Sequence, residues 1–360
     1  NLLEKDVRKA IYYFSLFTRK EFSYSKYIIG YLYYDGTEIP RDINLSIHYL
    51  SLAAENGIIE AQDLLIYIYF NGKYIKKDIR KAFYYCKLAA KQNSSFAFNI
   101  LGILYSNHIY NMYDIEKSLF YFNLAIQQNN SEAEFNLGCL YLDGLGVKKD
   151  IEKAIYLFTL SANQNNISSI ILLAYIYFTV KKNNIKGFDY IQKAANLNIP
   201  YAMAIVGAFY YNGNFVPRNV NKGLNYLELA TKQNEPISFY LLGCIFYNGV
   251  YVKKDLSKSF KYFSQAANNG ILIAINFIGL IYLNPDFESY DIKKGIHYLT
   301  IAANKNFSLS LYYLGIIYLK GFYCEQDLNK AINYLKKASD LNYKKAQEKL
   351  GCLYLKGKYV

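Results

Sequence analysis

From Ala133 to Asn165 the sequence reads AEFNLGCLYLDGLGVKKDIEKAIYLFTLSANQN, two apolar-periodic stretches on either side of a short polar one. In the first stretch Ala133, Leu137, Gly138, Leu140 and Tyr141 recur at the three-to-four-residue spacing of one helix face; in the second, Ile151, Ala154, Ile155, Phe158 and Ala162 do the same. Between them Asp143, Gly144, Gly146 and Val147 make a turn in which glycine supplies positive φ without a Cβ clash. The pattern predicts a helical hairpin.

That hairpin recurs along the whole chain. The place of Gly138 is taken in turn by Gly30, Ile66, Gly102, Gly138, Ala174, Gly207, Gly243, Gly279, Gly315 and Gly351, at intervals of 36 residues except for the 33 between 174 and 207. Three residues on stands an aromatic every time, Tyr33, Tyr69, Tyr105, Tyr141, Tyr177, Tyr210, Phe246, Tyr282, Tyr318 and Tyr354. Five residues before the glycine is a small residue, from Ser25 and Ala61 to Ser310 and Ala346, which lets helices approach closely. Asp6, Asp42, Asp78, Asp114, Asp150, Asn183, Asn219, Asp255, Asp291 and Asp327 are predicted N-caps of the second helix of each unit. Seven residues later comes a tyrosine, read as lying deep in the hairpin, with Leu157 the one departure. Fifteen residues after the cap, Gly57, Asn93, Asn129, Asn165, Asn198, Asn234, Gly270, Asn306 and Asn342 are predicted to stop the helix in the left-handed conformation; Glu21 breaks that series. The 33-residue interval carries the short turn Thr179 to Lys182, which lacks the glycines.

A period of 36 with these small, glycine, tyrosine and aspartate positions resembles the Sel-one-like repeat (SLR) family. Its pattern A-x-x-x-x-L-G-x-x-Y-x-x-G-x-G-V-x-x-D-x-x-K-A-x-x-x-Y-x-x-A-A is met nearly in full from Ala133 to Ala162, and the resemblance covers essentially the whole chain. The tetratricopeptide repeat, a relative with a 34-residue period, fits less well. The resemblance implies an all-α fold, an α/α solenoid or superhelix of about ten 36-residue helix-turn-helix repeats, running through residues 1–360 as a single continuous domain. It also implies an adaptor that assembles other proteins, bound on the concave face. One lumenal branch of the family presents clients to a membrane ubiquitin ligase complex for ER-associated degradation; a secreted bacterial branch carries a Cys pair in every repeat, which this chain lacks. Because the sequence opens on a second-type helix at Asp6 and closes on a first-type helix near Leu355, half-repeats are expected at both ends, as in an excerpt of a longer protein. A regulatory repeat region of an enzyme whose catalytic domain lies elsewhere is a further alternative.

Composition changes this picture little. A net charge of +13 suggests an anionic partner, but the richness in Lys, Asn, Ile, Tyr and Phe is what an AT-rich genome produces without selection, and no nucleic-acid partner is expected. No apolar run reaches the ~20 residues of a bilayer span. The cysteines Cys86, Cys139, Cys244, Cys324 and Cys352 form no C-x-x-C pair and read as packing residues in a reducing, cytoplasmic setting, with the ER lumen as the alternative. Asn44, Asn93, Asn129, Asn166 and Asn306 head N-x-S tripeptides, which a helix-stopping Asn followed by a capping Ser also produces.

No catalytic, cofactor or metal site is expected. His48 and His297 share the position one before the hairpin tyrosine, His108 replaces a turn glycine, and no H-E-x-x-H, G-x-S-x-G or phosphate-binding loop occurs. Arg41, Lys76, Lys77, Lys148, Lys149, Lys181, Lys182, Arg218, Lys253 and Lys254 gather before the N-caps as a basic stripe, read mainly as solvated turn residues. The candidate binding surface is the first helix. Three residues before the glycine the chemistry varies through Tyr27, Asp63, Asn99, Phe135, Tyr240, Asn276 and Tyr312, and one turn further on stand Tyr31, Tyr67 and Tyr175. These are the expected partner-binding residues, since variable positions are usually exposed and tyrosine gives contact area at low entropic cost.

Overall fold

The computed structural model describes residues 6–16, 23–355 and 357; Glu21 lies outside them. Among the described residues there are twenty α-helices, a 3-10 turn at His108–Tyr110 and no strand. The leading helices of the hairpins are α2 (Ser23–Asp35), α4 (Ile59–Asn71), α6 (Ser95–Ser106), α8 (Ser131–Asp143), α10 (Ile167–Thr179), α12 (Pro200–Asn212), α14 (Pro236–Asn248), α16 (Leu272–Tyr282), α18 (Ser308–Lys320) and α20 (Lys344–Leu355). The trailing helices are α1 (Val7–Ser15), α3 (Ile43–Glu55), α5 (Ile79–Lys91), α7 (Ile115–Gln127), α9 (Ile151–Asn163), α11 (Asn184–Asn196), α13 (Val220–Lys232), α15 (Leu256–Asn268), α17 (Ile292–Asn304) and α19 (Leu328–Asp340). The chain divides into two compact units, residues 1–176 and 177–360. Within each, a leading helix packs most extensively on the trailing helix that follows it, as α8 does on α9 and α12 on α13, and trailing helices pack on the next leading one, as α7 does on α8 and α17 on α18.

Every trailing helix begins as its sequence predicts. The side chains of Asp6, Asp42, Asp78, Asp114, Asp150, Asn183, Asn219, Asp255, Asp291 and Asp327 accept the backbone N–H three residues on, at 2.8–3.1 Å. From Asp42 on, the same residues close the hairpin through their own N–H, as Asp150 N donates to Tyr141 O at 2.9 Å. All nine stop positions from Gly57 to Asn342 have positive φ, between 57° and 89°. The short turn before Asn183 is closed by Lys182 at φ 49°, a non-glycine in the left-handed region.

The repeat glycines sit where the two helices of a hairpin touch. A Cβ on Gly138 would stand 2.6 Å from the ring of the fully buried Phe158, and Gly102 and Gly243 face Phe122 and Phe263 at 2.6 and 2.7 Å. Buried Ser118 and Ser259 donate to the carbonyls of Gly102 and Gly243 at 2.8 Å, so backbone and trailing helix are in direct contact. Where Ile66 replaces the glycine, the residue twenty positions on is the small, fully buried Cys86, in the same apolar cluster. The small-residue column is buried from Ala61 to Ala346, each with no exposed surface.

The hairpin tyrosines are placed differently from expectation. Tyr69–Tyr85, Tyr105–Tyr121, Tyr210–Tyr226 and Tyr318–Tyr334 stack nearly parallel, with ring centroids 5.7–6.1 Å apart. The lysine three residues after the N-cap lies over the leading-helix ring: Lys153 is 4.1 Å from the centroid of Tyr141 and Lys222 is 4.1 Å from that of Tyr210. Most of these rings are half-buried instead of deep, because the side that meets the lysine stays open to water.

Candidate interaction surfaces

The leading-helix column runs along the seam between successive repeats. In the first unit the Ser94 hydroxyl, itself the N-cap of α6, donates to Asp63 Oδ1 at 2.8 Å, and Asn136 Nδ2 donates to Asn99 Oδ1 at 2.9 Å. Tyr27 packs on Tyr24 at 5.3 Å, and Phe135 on Phe158 at 5.8 Å. In the second unit Ser310 Oγ donates to Asn276 Oδ1 at 2.9 Å, Tyr240 lies 6.2 Å from Phe277, and Tyr312 lies 5.3 Å from Tyr343. The expectation that this column faces solvent is corrected at Asn99 and Asn276, which are buried; Asp63, Tyr27, Phe135, Tyr240 and Tyr312 are half-buried. The physical reason is that leading helices also touch one another, α4 with α6 and α6 with α8, so side chains three residues before the glycine are caught between them.

One helical turn on, the same stripe emerges into solvent. Tyr31, Tyr67 and Tyr175 are exposed. Tyr31 stacks at a tilt on Tyr27 at 6.2 Å, and Tyr67 meets Tyr34 edge-on at 6.3 Å. Tyr34 is also 5.9 Å from Tyr74, over whose ring the Arg41 guanidinium sits at 4.6 Å. The surface of α2 and α4 is thus a run of tyrosines in mutual contact, its inner members held in place by packing. In the second unit the leading helices instead form a cleft of about 380 Å³ lined by Tyr247, Leu280, Leu283, Tyr313, Ile316 and Tyr323. Tyr34, Tyr74, Tyr247 and Tyr313 are absent from the sequence-based set; reading each leading-helix column in turn would have found all but Tyr74, which lies in the turn after α4.

Burial governs the titration of these groups. Desolvation pushes the Asp63 carboxyl up to about 6, with the Ser94 hydrogen bond opposing it. Burial likewise raises the phenols of Tyr27, Tyr34 and Tyr240 and, farther along, the Cys139 thiol, to about 11. The basic stripe is partly structural: Arg41 donates to the carbonyls of Tyr34 and Asp35 at 2.9 and 2.7 Å, capping the end of α2, and Arg218 reaches Asn212 O in the same way. Arg41 over Tyr74 and Arg218 over Tyr251 at 4.2 Å also tie one turn to the next. The Asn166 of one N-x-S tripeptide is buried and caps α10, its side chain accepting from Ser169 N and donating to Glu132. His48 and His297 are exposed, and His108 stacks on Tyr113 at 3.6 Å. Among the described residues no helix is long and apolar enough to cross a membrane.

Comparison with known proteins agrees with this geometry. The family model described as Sel1 repeat matches residues 1–20, 23–58, 59–94, 112–130, 131–166, 168–199, 200–235, 239–271, 272–307, 308–343 and 344–360. The longest stretch left out, 95–111, ends in the turn where His108 and Tyr110 stand at the places of Gly144 and Gly146. Among solved structures the chain is similar to c5321, a protective antigen of uropathogenic Escherichia coli displaying an SLR fold, at 21% identity over 99% of this chain and 84% of that one, with a TM-score of 0.62. It is also similar to a Sel1 repeat protein from Oxalobacter formigenes, at 21% identity over 97% of this chain and 90% of that one, with a TM-score of 0.51. No curated protein matches the sequence.

Proposed function

The chain belongs to the Sel1 repeat family, and from that premise we propose that it is a non-catalytic scaffold that binds partner proteins or peptides on the exposed tyrosines of its leading helices. The observation that carries this reading is the tyrosine run on α2 and α4. Tyr31 and Tyr67 are exposed but held by Tyr27 and Tyr34 beneath them, so little rotamer entropy remains to be lost on binding. The invariant positions are consumed by the fold as caps, stops and close contacts. Recognition therefore falls to positions that the repeat leaves free.

The test is a double substitution, Tyr31→Ser with Tyr67→Ser, in the full chain. Pull-down from cells that make the protein, followed by quantitative mass spectrometry, is expected to show partners retained by the parent and lost by the variant, with thermal unfolding shifted by no more than about 2 °C, as for a surface change. Partners retained in full by the variant would overturn the reading.

A further inference from the structure

The trailing helices of the first unit carry a second surface. Six residues after each N-cap stand Tyr12, His48, Tyr84, Phe120 and Tyr156, one per repeat on α1, α3, α5, α7 and α9. All five are exposed, the four large aromatics at 60%, 53%, 58% and 63%. The first four lean edge-on against the hairpin tyrosine that follows, as Tyr84 does on Tyr85 at 5.1 Å and Phe120 on Tyr121 at 5.3 Å, while Tyr156 is followed by Leu157. In the second unit the same position holds Asp189, Asn225, Lys261, His297 and Asn333, all exposed. Compositional bias acts equally on both halves of one gene, so it does not explain aromatics in one unit and polar residues at the equivalent places of the other. Packing does not explain them either, since each of the four large aromatics is more than half exposed. A repeated exposed aromatic column of this kind marks a contact surface.

Charge selects the occupant. Around Tyr84, α5 presents exposed Arg80, Lys87 and Lys91 and no acidic residue between Ile79 and Lys91, and Arg8 precedes Tyr12 by one helical turn. A second copy of a chain of net charge +13 would bring like charge against like. On α7 and α9, Glu116 and Glu152 stand one turn before Phe120 and Tyr156, so the basic run does not extend along the column as the continuous phosphates of a nucleic acid would require, whereas a peptide can set its carboxylates at α5 and only apolar side chains on Phe120 and Tyr156. We propose that this column docks an acidic segment of another protein, its apolar side chains lying on the exposed rings and its carboxylates meeting Arg80, Lys87 and Lys91. It is a surface separate from the leading-helix tyrosines, so one chain would hold two partners, or two parts of one.

Selection of a random dodecapeptide phage library on the immobilised full chain tests this. Clones are then measured by fluorescence anisotropy against the parent, Tyr84→Asn/Phe120→Asn/Tyr156→Asn, Arg80→Ser/Lys87→Ser, and Tyr31→Ser/Tyr67→Ser. Asn already occupies the position at Asn225 and Asn333, so the ring variant is compatible with the repeat. The expected result is a class of peptides rich in Asp or Glu with Leu or Phe. Their affinity falls about tenfold or more in both the ring and the charge variant, stays unchanged in the Tyr31/Tyr67 variant, and weakens with added salt. Absence of any clone that discriminates parent from ring variant would overturn the proposal. So would selected peptides without acidic enrichment, displacement of the peptides by an oligouridylate dodecamer, or a parent dimer that the ring variant abolishes in sedimentation.

Discussion

Exchanging the buried pair Gly138–Phe158 for the pair found two hairpins earlier, Ile66–Cys86, isolates the contact that holds each hairpin together. Both pairs are separated by twenty residues, and all four positions are buried. A Cβ at position 138 would already be 2.6 Å from the Phe158 ring, well inside ordinary contact, and isoleucine adds three further carbons. Gly138→Ile alone should therefore cost at least the ~1–3 kcal/mol typical of overpacking, less the ~0.5 kcal/mol gained from a better helix former. Phe158→Cys alone opens a cavity where a fully buried ring stood and should cost ~3–5 kcal/mol. Together the added isoleucine fills the space that the ring vacates, and the double variant should come within ~1 kcal/mol of the parent. Urea unfolding of all four proteins, compared at constant slope, gives the coupling energy, expected at ~3 kcal/mol or more. Losses that simply add would refute direct, size-matched contact between these positions.

Asp63 titrates near 6 in the folded chain against an ordinary 3.8, so its contribution favours folding below about pH 4 and is lost as pH rises through 6. The parent should thus lose stability between pH 5 and 7, by of order 1 kcal/mol after allowance for partial exposure, and Asp63→Asn should flatten that slope in urea titrations at the two pH values. Arg41→Lys should cost ~1 kcal/mol in the same assay, because lysine lacks the fork that reaches both Tyr34 O and Asp35 O while stacking on Tyr74.

Local chemistry made most of the fold legible in advance. Asp150 caps, Asn165 stops and Gly138 permits contact by interactions within a few residues or one hairpin, and each recurs ten or nearly ten times. The candidate surface was less legible. Asn99 and Asn276 vary as exposed residues do, yet they are buried because a neighbouring leading helix covers them, a packing that no single repeat encodes. Arg41 and Arg218 read as solvated charge but are spent on helix ends and rings. The aromatic column on the trailing helices was present in the sequence at 12, 84, 120 and 156, but in a chain so rich in tyrosine only exposure in the folded structure separates it from the stacked rings beside it.

The division of labour between invariant and free positions can be measured in one scan. A benzoylphenylalanine photocrosslinker is placed in turn at Tyr31, Tyr67, Tyr84, Tyr156, Asn225 and Asn333 of the full chain, in cells that make the protein. Protein adducts are expected from the first four sites and none from Asn225 or Asn333, which are exposed equivalents without the aromatic column. Equal yields at all six sites, or adducts confined to the last two, would contradict it.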